Sequence, residues 1–165
     1  MTATVAILMG SKNDMSSLKG AFDTLKEFGI GFEAHVMSAH RTPDIAAEYA
    51  KNAEKNGTKI FICAAGMAAH LAGVIAAHTT LPVIAIPIAS PPFNGFDALL
   101  AMVQMPPGIP VATVTAGSAG AKNAALLAVS ILALSCPELN KKLKDFRADQ
   151  TKKVIEDDRA IQSEI

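Results

Sequence analysis

Roughly five short apolar runs punctuate the chain, each followed by a turn-rich loop and then by a stretch of helical spacing. "TVAILM" gives way to "GSKND" and then to Leu18, Phe22, Leu25 and Phe28, a strand, a loop and a helix that stops at Gly29. "GFEAHVM" alternates, with Phe32, Ala34 and Val36 on one face. Thr42-Pro43-Asp44 then opens a second helix with a capping hydroxyl, a proline in the first turn and an acid near the positive end. "KIFICAA" with "GMAAHLAGVIAAH", "PVIAIPI" with "GFDALLAMVQM", and "PVATVTA" with "GSAGAKNAALLAVSILAL" repeat the pattern to residue 134.

Continuous rather than alternating apolar strands are the mark of a sheet buried on both faces. Repeated βα units with such strands, joined by right-handed crossovers, predict an α/β fold, a three-layer α/β/α sandwich with a parallel sheet, of flavodoxin-like or Rossmann-like winding. From Pro137 onward charge is dense, and Leu139, Leu143, Phe146 and Val154 supply only a sparse apolar stripe, which predicts a surface or intersubunit helix. The expected organisation is one domain over residues 1–165, with a C-terminal helical extension from about residue 137.

Composition narrows the partners. The chain has 165 residues, 50% hydrophobic and 18% charged, enough for one sizeable core. Fifteen basic and 15 acidic residues cancel, which argues against nucleic acid or a charged membrane surface and for a small-molecule ligand. Cys63 and Cys136 lie far apart without CxxC spacing, in keeping with a reducing cytoplasm. The start "MTATVAILMG" carries no basic n-region, and every apolar stretch is cut short of a spanning length, so neither export nor membrane insertion is expected. Apolar, Ala/Leu-rich helices such as "AALLAVSILAL" predict a homo-oligomer.

Ligands of open parallel sheets bind beyond the carboxyl ends of the strands, which directs attention to five loops: "GSKND", "SAHRT", "AAGMAAH", "IASPPFNG" and "TAGSAGAKN". In the first, Ser11, Asn13 and the amides of the following helix suit a phosphate oxygen, and Asp14 suits a sugar hydroxyl; ordinary turn and N-cap chemistry explains the same residues. The loop has neither GxGxxG nor the P-loop lysine pattern. In the second, Arg41 is a fixed cationic fork for phosphate and Ser38 adds a hydroxyl. His40, beside them, is a side chain that exchanges protons near neutral pH, although a lone histidine before a helix is as readily a hydrogen-bonded surface residue. His70 either reaches a ligand or bonds a loop carbonyl; His35 and His78 read as structural. No histidine pair has HExxH or HxxxH spacing and the acids are dispersed, so no metal is called for.

"MGSKND", "SAHRTPD", "AAGMAAHLAG", "VQMPPGIPVATV" and "AKNAALLAVSIL", in this order and covering most of the chain, resemble the PurE family of purine biosynthesis. The resemblance implies a flavodoxin-like fold, a homo-octamer with active sites at subunit boundaries, and neither metal nor organic cofactor. It places Ser11, Asn13, Asp14, Ser38 and Arg41 on ribose-phosphate positions and His40 on the general acid/base, with Gly66, Ala68 and His70 in the loop that faces the migrating carboxylate. Three positions depart from the family's commonest pattern: Asn13 for serine, Met67 for a second glycine and Ala72 for proline. Met67 brings into the carboxylate-facing loop a residue without the conformational freedom of glycine.

The family divides between a mutase, which moves the carboxylate of N5-carboxyaminoimidazole ribonucleotide from nitrogen to ring C4, and a carboxylase, which uses CO2 directly on aminoimidazole ribonucleotide. Arginine in "SAHRT" and histidine in "AAHLAG" resemble the mutase branch. Two further readings stand beside it, a non-catalytic nucleotide-binding module and a flavin carrier of the same fold. The absence of Trp and the single Tyr disfavour the flavin.

Overall fold

A computed structural model describes residues 4–165. Its strands are β1 (Val5–Met9), β2 (Phe32–Val36), β3 (Ile60–Gly66), β4 (Val83–Ile88) and β5 (Ala112–Thr113). Its α-helices are α1 (Lys19–Glu27), α2 (Pro43–Ala53), α3 (Leu71–His78), α4 (Phe96–Val103), α5 (Gly117–Ala133) and α6 (Pro137–Glu164). The strands form one sheet in the order β2-β1-β3-β4-β5, with every pairing parallel. This is the flavodoxin-like order, and the fold expected from the alternation of strands and helices is the one observed.

The central strands follow their composition. β1 is buried throughout, and β3 and β4 are buried up to their last residues. Ala6, Leu8, Phe61, Cys63 and Ala85 face one core with Ala46 and Ala50 of α2, Leu71 and Ile75 of α3, and Ala98 and Met102 of α4. The alternate residues Val5, Ile7, Met9, Ile60, Ile62, Ile84 and Ile86 are equally buried and point the other way. On that second face Phe22 of α1 stacks against Phe32, the register partner of Val5, with ring centroids 5.5 Å apart.

The edges differ from the expectation of strands buried on both faces. β2 is only partly buried, and β5 shrinks from the predicted "PVATVTA" to two residues. An edge strand has a neighbour on one side only and is covered less, and Pro110 cannot donate to a ladder. α1 ends as its glycine requires: Gly29 has φ 73°, its amide donates to Lys26 O, and the Ile30 amide donates to Leu25 O, a Schellman closure.

The contacts divide the chain into two compact units. The first ends at Ala128, within α5, and contains the whole sheet; the second covers Val129–Ile165. The second unit is dominated by α6, a 28-residue helix whose side chains are almost all exposed beyond Leu139. Among the described residues no helix is long and apolar enough to cross a membrane.

Candidate active site

The strand order reverses direction between β1 and β3, so the chain leaves these neighbours toward opposite faces and opens a crevice at their carboxyl ends. The Gly10 amide still reaches Ala64 O, at 3.1 Å, before the two loops diverge. A cavity of about 740 Å³ occupies this crevice. It is lined by Ser11, Asn13 and Asp14 after β1, by Ser38, His40 and Arg41 after β2, and by Gly66 at the end of β3 with Ala68 and His70 beyond it. All nine residues selected from the sequence therefore meet in one place.

The β1 loop is organised by its own side chains. Ser11 Oγ accepts from the Asn13 amide at 3.2 Å, and the Ser11 amide donates to Asp14 Oδ2 at 3.1 Å, a capping box on the short 3-10 segment Lys12–Leu18. Turn chemistry and cavity lining thus coexist in the same residues, because the cap holds the loop in the shape that faces the crevice. Burial raises the Asp14 carboxyl above its ordinary range, and the bond from the Ser11 amide partly opposes that rise.

The β2 loop is wound around Ser38. Its Oγ accepts from the amides of His40, at 3.3 Å, and Arg41, at 3.2 Å. The Thr42 hydroxyl does not cap α2 as its position before Pro43 predicts. It donates to Ser38 O at 3.1 Å and accepts from the Ser38 amide at 2.9 Å, closing the turn that presents His40. Arg41 Nη2 donates to Gly10 O at 2.8 Å, which draws the guanidinium over the β1 loop.

His70 stands at the N-cap of α3 and makes no side-chain cap bond. Its Nδ1 lies 2.8 Å from His40 Nε2 instead, with the rings edge-on. Its partner is thus another side chain of the cavity wall, a third arrangement beside the ligand and the loop carbonyl expected for it. Next to it Met67 has φ 56°, the left-handed conformation that glycine adopts freely. The loop keeps a glycine-type backbone despite the methionine.

His35 and His78 lie outside the cavity lining. His35 Nε2 is 3.3 Å from Glu33 Oε2, and its ring lies beside Tyr49. Sequence reasoning missed Ser17, which lies on the 3-10 segment, and of the "IASPPFNG" loop only Ile88, Ala89 and Ser90 line the cavity. The available signal for Ser90 was its place just beyond a buried strand. Among the described residues no three His, Cys, Asp or Glu side chains gather as a metal cluster would.

The AIR carboxylase family model matches residues 4–153. The N5-carboxyaminoimidazole ribonucleotide mutase of Saccharolobus solfataricus is 54% identical over 151 residues, covering 92% of this chain and 94% of that protein. The Pseudomonas aeruginosa protein of the same name is 50% identical over 156 residues, covering 94% and 96%. Among solved structures, Treponema denticola PurE superposes with a TM-score of 0.84 at 34% identity, covering 94% of this chain and 96% of that one.

Proposed function

The chain belongs to the AIR carboxylase family, and on that footing we propose that it catalyses the mutase reaction, moving the carboxylate of N5-carboxyaminoimidazole ribonucleotide from nitrogen to ring C4. The observation that carries the reading is the convergence of His40, His70 and Arg41 with the Gly10–Asp14 loop on one cavity at the sheet's switch point.

The roles follow from chemistry and position. Arg41 and the β1 loop anchor the ribose phosphate, with Ser11, Asn13 and Ser38 as further donors and Asp14 as acceptor for a ribose hydroxyl. His40 gives its proton to the carbamate nitrogen as the N–C bond breaks, so that the bonding pair stays on nitrogen and CO2 is released. The electron-rich aminoimidazole then attacks CO2 through C4, and His40 takes the C4 proton to restore aromaticity. One imidazole is thus regenerated in each turnover. Gly66, Ala68 and His70 border the space in which CO2 is held between the two steps.

The protein works as a homo-oligomer, an octamer in this reading, in the cytoplasm. Supporting an assembly, Phe93, Phe96, Leu99, Leu100 and Val103, on α4 and the turn before it, are exposed. Cys63 and Cys136 are free thiols, in keeping with a reducing compartment. Light scattering that found a stable monomer at micromolar concentration would remove the assembly.

Direct carboxylation is the second reading, favoured by the description of the matching family. The deciding experiment supplies the N-carboxylated nucleotide labelled with ¹³C in its carboxylate, in unlabelled bicarbonate buffer, and follows the C4 carboxylate by NMR in early turnover. Retained label with little use of aminoimidazole ribonucleotide at low bicarbonate is expected. Complete washout with efficient use of dissolved CO2 would establish the carboxylase instead.

A further inference from the structure

Ser90 follows the end of β4 by two residues and lines the cavity, yet its Oγ is buried and has no hydrogen-bond partner among the described residues. The hydroxyls of Ser11 and Ser38 differ from it, since their oxygens already accept bonds within the chain and their hydrogens are left to donate to the phosphate. Ser11 Oγ serves the cap of the β1 loop, and Ser38 Oγ holds the amides of His40 and Arg41. A buried hydroxyl left unpaired is unfavourable, and such a group on a cavity wall implies a partner that arrives with the ligand.

The backbone opposite narrows what that partner is. A Cβ built on Gly66 would lie 2.9 Å from Ile88 O and 3.4 Å from Ser90 Oγ. Glycine at this position therefore lets the ends of β3 and β4 close together and sets the Ser90 hydroxyl against the start of the loop that leads to His70. The hydroxyl thus stands on the β4 side of the space bordered by Gly66, Ala68 and His70, on a different strand end from Arg41 and the phosphate-type loop. A neutral donor suits a group that alternates between carboxylate and free CO2, since a cation there would hold the charged form and resist its decarboxylation.

We propose that Ser90 Oγ donates a hydrogen bond to an oxygen of the carboxyl group in transit, a substrate contact separate from the phosphate anchor. The proposal rests on the carboxyl-transfer reading given above. It predicts that Ser90 discriminates nucleotides by their carboxylate and not by their ribose phosphate.

The test compares Ser90→Ala and Ser90→Cys with the parent protein in thermal melts, in turnover, and in titrations with aminoimidazole ribonucleotide and its C4-carboxylated counterpart. Ser90→Ala should melt no lower than the parent, because no bond within the chain is lost. It should bind the carboxylated nucleotide about tenfold or more weakly and leave affinity for the uncarboxylated one within about twofold. Turnover should fall by a similar factor, release of labelled CO2 to solvent should rise, and the weaker thiol donor of Ser90→Cys should lie between. Equal weakening of both nucleotides, unchanged affinity for both, or a melting temperature lowered by several degrees would overturn the proposal. Absence of turnover in the parent protein would instead overturn the functional reading, and the two titrations separate these failures.

Discussion

His40 Nε2 and His70 Nδ1 lie 2.8 Å apart, although 30 residues of chain separate them. One hydrogen lies between the two nitrogens, so the tautomer of one ring fixes that of the other, and the T-shaped contact orients both. If His40 is the proton carrier, His70 acts through it. His40→Asn should reduce turnover by roughly 10² or more with nucleotide binding retained, and His70→Asn by a smaller factor. The double variant should be no slower than His40→Asn alone within about threefold, since groups that act as a unit are not additive. Steady-state kinetics on the three proteins decide the matter. Near-normal turnover in His40→Asn would remove it from the mechanism, and fully additive losses would give His70 an independent role.

The bond from Arg41 Nη2 to Gly10 O aims the guanidinium at the β1 loop. Arg41→Ala should weaken nucleotide binding by roughly 1.5–3 kcal/mol, the loss of a charged hydrogen-bonding partner, and leave the chemical step less affected. Lysine restores the charge without the planar fork and should rescue only partly. Calorimetric titration checks this, and an unchanged dissociation constant would reduce Arg41 to a staple between loops.

Much of this was legible in the chain because buried parallel strands leave a signal no other element shares. "VAILM", "IFICAA" and "VIAIPI" are apolar at every position, and each became a central strand. β5 was overread because its pattern is apolar while its edge position, set by topology, leaves it little to pair with. The loops were found by a rule about strand ends, which places residues without orienting them. The pairing of His40 with His70 and the return of the Thr42 hydroxyl to Ser38 depend on how two loops meet, and no local spacing encodes that. Ser90 was hidden for the same reason, since an unpaired hydroxyl is a property of its surroundings.

Asp14 carries a pH signature. Burial raises its carboxyl in the folded protein, the Ser11 amide offsetting part of the rise, so the folded state holds this proton more tightly than the unfolded one. Stability from this group therefore falls as pH rises from the ordinary carboxylate range through the raised folded value, and the penalty is complete at neutral pH. Asp14→Asn keeps an oxygen that can accept from the Ser11 amide and removes the charge. It should be at least as stable as the parent at pH 7, with the difference shrinking in acid, while nucleotide affinity falls about tenfold if a ribose hydroxyl is lost as donor. Urea titrations across pH check the sign. A variant less stable at neutral pH, with a deficit that persists in acid, would show that the cap needs the carboxylate.

Met67 tests how the carboxylate-facing loop tolerates a side chain where the family's pattern has glycine. Its φ of 56° is a conformation that costs a residue with a Cβ roughly 1–2 kcal/mol, whereas glycine adopts it freely. Glycine in turn loses more chain entropy on folding, which offsets roughly 0.5–1 kcal/mol of that gain. The residue is 63% exposed, so little packing is lost with the side chain. Met67→Gly should therefore hold or raise stability, by up to about 1 kcal/mol or a few degrees in Tm, with kcat/KM within about threefold because the backbone shape is kept. Met67→Val should do the reverse, since a β-branched residue is poorly accommodated at positive φ. Thermal melts and kinetics on the two variants check this together. A lower Tm for glycine would mean that the methionine side chain holds contacts worth more than its backbone strain, and the loop would then be shaped by Met67 and not merely tolerant of it.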